Sequence, residues 1–151
     1  MKSKTERDFM FESADESPGF LLWQASNFWQ REIKKALLAL NLTHAQFVLL
    51  ATTHWFAQQR IAVTQKLLSD RTQVDPMTTS IVLRTLQKKG LISRMEHTTD
   101  TRAKTVVLSE QGKRVTRQAI KIVEAFDVEF FGVLSGSADK FNRQLKLLIL
   151  R

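Results

Sequence analysis

The clearest pattern of hydrophobic and polar positions lies between residues 75 and 89. At about 100° per residue, one face of a helix there collects residues suited to a core: Thr79, Val82, Leu83 and Leu86. Asp75 precedes this helix and can cap its free amides with its carboxylate, and Pro76 suits the first helical position. Gly90 suits the left-handed turn by which a chain leaves a helix. The pattern predicts a capped amphipathic helix that ends before Gly90.

A β-hairpin is predicted directly after this helix. Leu91, Ile92 and Met95 suit a short strand, and residues 106–108 suit a second one. The polar, turn-rich residues 97–102 separate them. A capped helix followed by a hairpin is the layout of a winged helix-turn-helix, in which both elements lie against duplex DNA.

The outer face of the predicted helix mixes hydroxyl, methyl and cationic groups, as a base-reading face does: Met77, Ile81, Arg84, Thr85 and Lys88. An ordinary surface helix with a solvated charged face is the alternative. The basic turn that follows favours the DNA-binding interpretation. In that turn Arg102 can either pair with Asp100 or extend into the minor groove, where the negative potential favours a guanidinium group.

The sequence pattern predicts apolar helices near both ends of the chain. Ser17 and Pro18 begin a helix that runs to about residue 39 and is apolar on more than one side, which exceeds what one small core needs. Residues 110–131 form a long helix, and residues 138–151 form a last one. We therefore expect pairing between two chains through these terminal helices. Residues 1–16 lack helical periodicity and are expected to be a flexible arm.

The middle of the chain completes the predicted helix-turn-helix. Thr43 is expected to cap a helix that runs to about Gln59. A short helix should follow over residues 63–70 and begin near Thr64, and residues 71–74 should form the turn before Asp75.

Charge supports a nucleic-acid partner. The formal net charge of the 151-residue chain is +8. Residues 58–104 contain nine cationic and four acidic side chains, whereas residues 1–16 contain three and five. The positive excess therefore lies where the motif needs it. A ribosomal or RNA-binding surface is the alternative for a basic lobe, but no aromatic RNA-stacking motif accompanies it.

Three segments resemble the MarR family of bacterial transcriptional regulators. Residues 42–60 resemble the opening of that family's second helix, with Leu42, Thr43 and Gln46 in the matching positions. Residues 75–94, ending in KKGLISR, resemble its recognition helix, and residues 100–112 resemble its Asp-x-Arg wing and the start of the next helix. The resemblance runs in register over residues 17–131. Ile81, Gln87 and Ser109 depart from the family's usual residues, and Ile81 suggests apolar contact, such as with a thymine methyl group.

The resemblance implies a mainly α fold with a small β-wing, a winged helix-turn-helix over residues 43–109, and dimerisation helices over 17–40 and 110–151 of a single domain, 17–151. It implies a homodimeric regulator that binds a pseudo-palindromic double-stranded operator; we expect a repressor, with an activator as the alternative. The expected DNA-binding residues are Lys66, Met77, Thr78, Ser80, Ile81, Arg84, Thr85, Lys88, His97, Thr98, Arg102 and Lys104.

The resemblance also implies release from DNA by a small amphipathic or aromatic ligand. Six aromatic residues are candidates for its binding site: Trp23, Phe28, Trp29, Phe47, Trp55 and Phe56. The alternative for each is plain core packing, because aromatic residues at helical spacing usually pack.

Other functions find little support in the sequence. The three histidines are scattered without metal-ligand spacing, there is no cysteine, and no phosphate-binding glycine loop occurs. We therefore expect no enzyme activity, no metal and no cofactor. With no signal peptide or long apolar run, a cytoplasmic location is expected and no membrane partner. A winged helix that binds proteins instead of DNA remains the second functional class. Cationic residues at both contact elements, Arg84 and Arg102, favour DNA.

Overall fold

Six α-helices and a two-stranded antiparallel sheet form the part of the chain that the structure, a computed structural model, describes: residues 8–96 and 104–150. The helices are α1 (Pro18–Leu37), α2 (His44–Gln58), α3 (Gln65–Thr72), α4 (Pro76–Lys88), α5 (Glu110–Gly132) and α6 (Ala138–Ile149). The strands are β1 (Ile92–Glu96) and β2 (Lys104–Leu108). The predicted class, mainly α with a small β-wing, is confirmed.

The chain divides into two compact units after Glu32. In the first unit, a 3₁₀ turn covers Ala14–Glu16, and the Ser17 hydroxyl oxygen accepts from the Phe20 amide at 3.3 Å, as expected of a helix cap. Phe9 and Met10 are almost fully exposed. Several large apolar side chains early in α1 are also at least two-fifths exposed: Phe20, Leu21, Leu22, Trp23 and Phe28.

The core of the second unit is built mainly from leucines. Helix α2 packs against α3, α4 and α5, and the two strands lie beside α2 and α4. The largest fully buried apolar side chains come from four helices, α1 to α4: Ile33, Leu37, Leu49, Leu50, Leu68, Leu83 and Leu86. Burying such side chains stabilises the fold by about 1.5–3 kcal/mol each.

Local capping sets where these helices begin. Thr43 and Gln46 form a reciprocal capping box at α2, and the Thr64 hydroxyl accepts from the Leu67 amide at α3. The Asp75 carboxylate accepts from the Thr78 amide at 2.8 Å. All three predicted starts are confirmed. Gly90 has φ 71°, so the predicted left-handed exit from α4 is confirmed too.

The predicted end of α3 was wrong. The helix continues through Arg71 to Thr72 and ends at Gln73, whose φ is 60° and whose amide donates to the Ser69 carbonyl. The sequence had assigned Arg71 to the turn. Its position on a helix instead directs its side chain towards α2.

The wing has a third strand-like segment that the sequence had assigned to α3. β1 and β2 pair antiparallel, with Ile92 opposite Leu108. On the other edge of β2, the Val106 amide donates to the Val63 carbonyl at 2.7 Å, and Thr64 bridges Thr105. Val63 is therefore extended rather than helical, and the segment ties the wing to the start of α3.

The junction of the wing with α5 is tightly packed. The Ser109 hydroxyl donates to the Gly90 carbonyl at 2.6 Å and accepts from the Gly112 amide at 2.9 Å. A Cβ atom at position 112 would lie 1.9 Å from the Leu91 carbonyl oxygen. Only glycine fits this approach of α5 to the end of α4.

Within residues 8–96 and 104–150, no single helix is both long and apolar enough to cross a membrane. One bent pair of helices, Pro18–Leu40 with His44–Gln58, has the length and composition of a membrane span, and only these two properties indicate one.

Candidate nucleic-acid interface

Helix α4 presents one buried and one exposed face. Thr79, Leu83 and Leu86 are completely buried, in agreement with the predicted core stripe. On the opposite face Met77 is 74% exposed and Ile81 is 53% exposed. Exposing two large apolar side chains to water has no packing benefit, which makes this face a candidate contact surface.

Side-chain hydrogen bonds fix α4 relative to α3. The carbonyl of Val74, in the turn, accepts from the hydroxyls of Ser69 at 2.7 Å and Thr79 at 3.2 Å. The Gln65 amide group donates to the Pro76 carbonyl at 3.3 Å. The two helices are therefore connected at both the end and the start of α3, and they should move together. Sequence patterns had not indicated a role for Gln65.

The polar groups of the exposed face are partly engaged with their own helix. The Arg84 guanidinium donates to the Ser80 hydroxyl at 3.2 Å, which holds the cation along the outer face. The Thr85 hydroxyl donates to the Ile81 carbonyl at 3.2 Å. Thr78 is exposed. Arg84 thus has both the position and the donors for bidentate contact with a guanine edge.

The lysines near this face differ in their partners. Lys66, at the start of α3, is highly exposed and pairs with Asp70 at 2.6 Å. Lys88 is exposed. The amine of Lys89 instead donates to the Asn41 carbonyl at 2.5 Å and the Gln46 side-chain oxygen at 3.0 Å. Lys89 therefore joins the end of α4 to the start of α2.

The wing contributes Lys104, which is exposed at the start of β2. The predicted contacts His97, Thr98 and Arg102 lie outside the described residues. Arg94 of β1 is on the same side of its strand as buried Ile92, and its guanidinium donates to the Ser80 carbonyl at 3.5 Å. Strand alternation could have identified Arg94 as a link between wing and recognition helix.

A cleft of about 830 Å³ opens between α2 and α5, in the second unit. Of the six aromatic candidates, Phe47 and Trp55 line it. Phe56 belongs to the core, where it is 6% exposed and meets Trp55 edge-on at 5.1 Å. Trp23, Phe28 and Trp29 lie in the first unit.

Charged side chains also line this cleft, and sequence reasoning did not anticipate them: Arg71, Arg117, Lys121, Glu124 and Asp127. Near the acidic end, burial lowers the pKa of His44, while the negative charge of Asp127 acts in the opposite direction. Among the residues that the structure describes, no three His, Asp or Glu side chains are grouped to hold a metal ion.

A capped helix pair, an exposed second helix and a strand-paired wing define the class of winged helix-turn-helix proteins. The ArnR1-like winged-helix domain family matches residues 39–128. The HTH-type transcriptional regulator YdcH of Bacillus subtilis (strain 168) is 44% identical over 121 residues, which are 80% of this chain and 82% of that protein.

Solved structures of other proteins share the fold. CouR from Rhodococcus jostii RHA1, bound to p-coumaroyl-CoA, superposes with a TM-score of 0.78 at 21% identity, covering 91% of this chain and 95% of that one. MepR of S. aureus, in a complex with DNA, gives 0.77 at 23% identity, covering 92% and 100%. The chain belongs to the MarR family of winged-helix transcriptional regulators.

Proposed function

We propose that this protein is a sequence-specific repressor that binds double-stranded operator DNA as a homodimer and leaves it when a small molecule binds. The observation that carries the proposal is the outer face of α4, where exposed Met77 and Ile81 flank the cation of Arg84. This face combines apolar groups that can meet thymine methyls with a donor fork that suits guanine.

The remaining parts of the interface supply positioning. Lys66, Lys88 and Lys104 are exposed on α3, α4 and β2. Lysine contacts to phosphates give affinity that depends on salt but carry no sequence information. We assign residues 43–109 to the DNA-binding lobe, and residues 17–40 and 110–151 to dimerisation. One recognition helix would then read each half-site of a pseudo-palindrome, with half-sites about one helical turn apart.

The α2–α5 cleft is the proposed effector site. Its volume lies in the range of small-molecule sites, and Phe47, Trp55, Ile120 and Val123 give it an apolar lining. CouR, with the same fold, was solved with an aromatic thioester bound. A small, mostly apolar ligand there would favour a dimer whose recognition helices are wrongly spaced for the operator.

The first experiment is genome-wide recovery of DNA fragments bound by the protein, followed by affinity measurements on the recovered site. Arg84→Ala should weaken binding by about 1–3 kcal/mol and relax the sequence preference at one position of each half-site. Arg114→Ala provides the control, because Arg114 is exposed on α5, outside the assigned face.

Two results would reject this function. If no sequence is enriched, the winged helix would have to serve as a protein-interaction module instead. If Arg84→Ala binds the recovered site like the parent protein while correctly folded, the assigned reading face would be wrong.

A further inference from the structure

Arg71 connects the α2–α5 cleft with the helix-turn-helix. Of the residues that line this cleft in the described part of the chain, the others belong to α2 and α5, whereas Arg71 belongs to the last turn of α3. Its guanidinium carbon lies 5.7 Å from the centroid of the Trp55 ring. At this distance a cation is attracted to the face of an indole. Trp55 is 48% exposed, so a ligand can also reach that ring.

The charges in the cleft are separated along α5. Arg117 and Lys121 lie towards the start of the helix, and Glu124 and Asp127 lie towards its end. Arg117 and Asp127 are ten positions apart on the helix, a rise of about 15 Å. The cationic end faces the end of α2, since Gln58 and Arg117 together line a second, neighbouring cleft.

This arrangement favours a ligand with an apolar body and one anionic group. The anion would lie at the end that holds Arg71 and Arg117, and the body would extend over Trp55 towards Phe47. Such a ligand competes with Arg71 for the Trp55 face. Its anion offers the guanidinium a stronger, charge-assisted partner.

A displacement of Arg71 would be passed on to the recognition helix. Ser69, two residues earlier on α3, donates to the Val74 carbonyl, which also accepts from Thr79 of α4. The Gln65–Pro76 hydrogen bond joins the helices at a second point. Since α3 and α4 are held together, movement of α3 at Arg71 reorients the reading face.

We infer that Arg71 couples effector binding to DNA release: it stacks on Trp55 in the ligand-free protein and is drawn away by an anionic, apolar-bodied ligand, so that α3 and α4 move together. This inference rests on the proposed function and specifies its regulation. It predicts that Arg71 transmits the signal, whereas Arg117 only contributes to ligand affinity.

The test uses two fluorescent probes that differ in charge, 1-anilinonaphthalene-8-sulfonate and the neutral N-phenyl-1-naphthylamine. Each is titrated into the free protein and into the protein bound to its recovered DNA site. We expect tighter binding of the sulfonate, weakened 5- to 150-fold by DNA, because coupling between two sites is reciprocal. Failure of the sulfonate to bind more tightly than the neutral amine would overturn the inference.

Variants separate binding from coupling. Arg71→Gln should bind the sulfonate more weakly than the free parent protein, because one partner of the anion is lost, and its affinity should be nearly equal with and without DNA. Arg117→Gln should bind the sulfonate more weakly both with and without DNA. The ratio of its two affinities should equal that of the parent protein. Arg114→Gln, on the same helix but outside the cleft, should behave like the parent. Arg71→Lys keeps the charge but not the planar group. Its ratio of sulfonate affinities without and with DNA should lie between those of the parent and of Arg71→Gln.

An optical measurement reports on the stacking itself. In a Trp23→Phe, Trp29→Phe background, Trp55 is the only indole, since the chain has three tryptophans. Its emission should change when the sulfonate binds, and Arg71→Gln should alter the ligand-free emission. Coupling that survives Arg71→Gln unchanged would overturn the inference while leaving the DNA-binding function intact. Absence of any DNA binding would instead reject the function.

Discussion

At the scale of single residues, two adjacent lysines at the end of α4 have different surroundings. Lys88 is exposed, whereas Lys89 is partly buried between the Asn41 carbonyl and the Gln46 side chain. Both carry the same charge, and nothing in their sequence order distinguishes them. The helical rotation of about 100° between neighbours turns one towards solvent and the other towards the start of α2.

This difference can be measured with matched alanine variants. Lys88→Ala should lower the slope of log affinity against log salt concentration by about one, because one phosphate contact is lost, and leave stability unchanged. Lys89→Ala should leave the slope unchanged and lower the free energy of unfolding by about 1 kcal/mol. Urea unfolding and DNA titrations at several salt concentrations check both. Equal effects of the two variants would contradict the assignment.

Two glycines of α5 provide a second residue-scale prediction. Gly112→Ala places a Cβ atom 1.9 Å from a backbone oxygen, so α5 must shift, and we expect a loss of about 1–3 kcal/mol or more. Gly132→Ala meets no atom within 4 Å and should be neutral or stabilise by up to about 1 kcal/mol. Thermal unfolding of both variants tests this. Parent-like stability of Gly112→Ala would show that the contact is looser than described.

At the scale of elements, the recognition helix depends on its cap. The Asp75 carboxylate accepts hydrogen bonds from Thr78, and these bonds lower the pKa of Asp75 below its ordinary value of 3.8. A lowered pKa in the folded state means that the charged cap stabilises the protein above pH 3.8. That contribution is lost as the pH falls through the folded-state pKa.

Asp75→Asn isolates this contribution, because asparagine also caps helices but does not titrate. The parent should be the more stable protein near neutral pH, and its advantage should shrink as the pH falls towards about 2. Urea unfolding of both proteins at a series of pH values gives the difference in unfolding free energy, in which titrations common to both cancel. A difference that stays constant over this range would show that the carboxylate charge does not contribute.

At the scale of the whole molecule, the last helix exposes several large apolar side chains. Leu147, Leu148 and Ile149 of α6 are each more than half exposed. Contiguous apolar surface of this kind usually marks an interface. Together with the exposed apolar side chains of α1, it supports the proposed homodimer.

Light scattering at micromolar concentration should therefore give about twice the chain mass of 17.4 kDa. Leu148→Glu should shift the population towards monomer and weaken operator binding, because both half-sites must then be filled independently. Lys140→Glu, a change at another exposed position of the same helix, should remain dimeric. A parent protein that is entirely monomeric under these conditions would contradict the proposed pairing through the terminal helices.

The sequence determined the parts of this protein that depend on neighbours within one helical turn. Thr43, Thr64 and Asp75 each cap a helix through an amide only three residues away, so their roles follow from local order. The buried stripe of α4 and the exit at Gly90 follow from helical periodicity and backbone sterics for the same reason. These local signals predicted the order of elements and the candidate reading face.

Tertiary structure alone decided which residues meet across long separations. Lys89 contacts Asn41, which lies 48 positions away, and Val106 pairs with Val63 to complete the wing. Arg71 faces Trp55 from the last turn of α3, which runs two residues farther than the sequence pattern indicated. Such contacts depend on how helices and strands are oriented in three dimensions, and residue order along one chain does not specify that orientation.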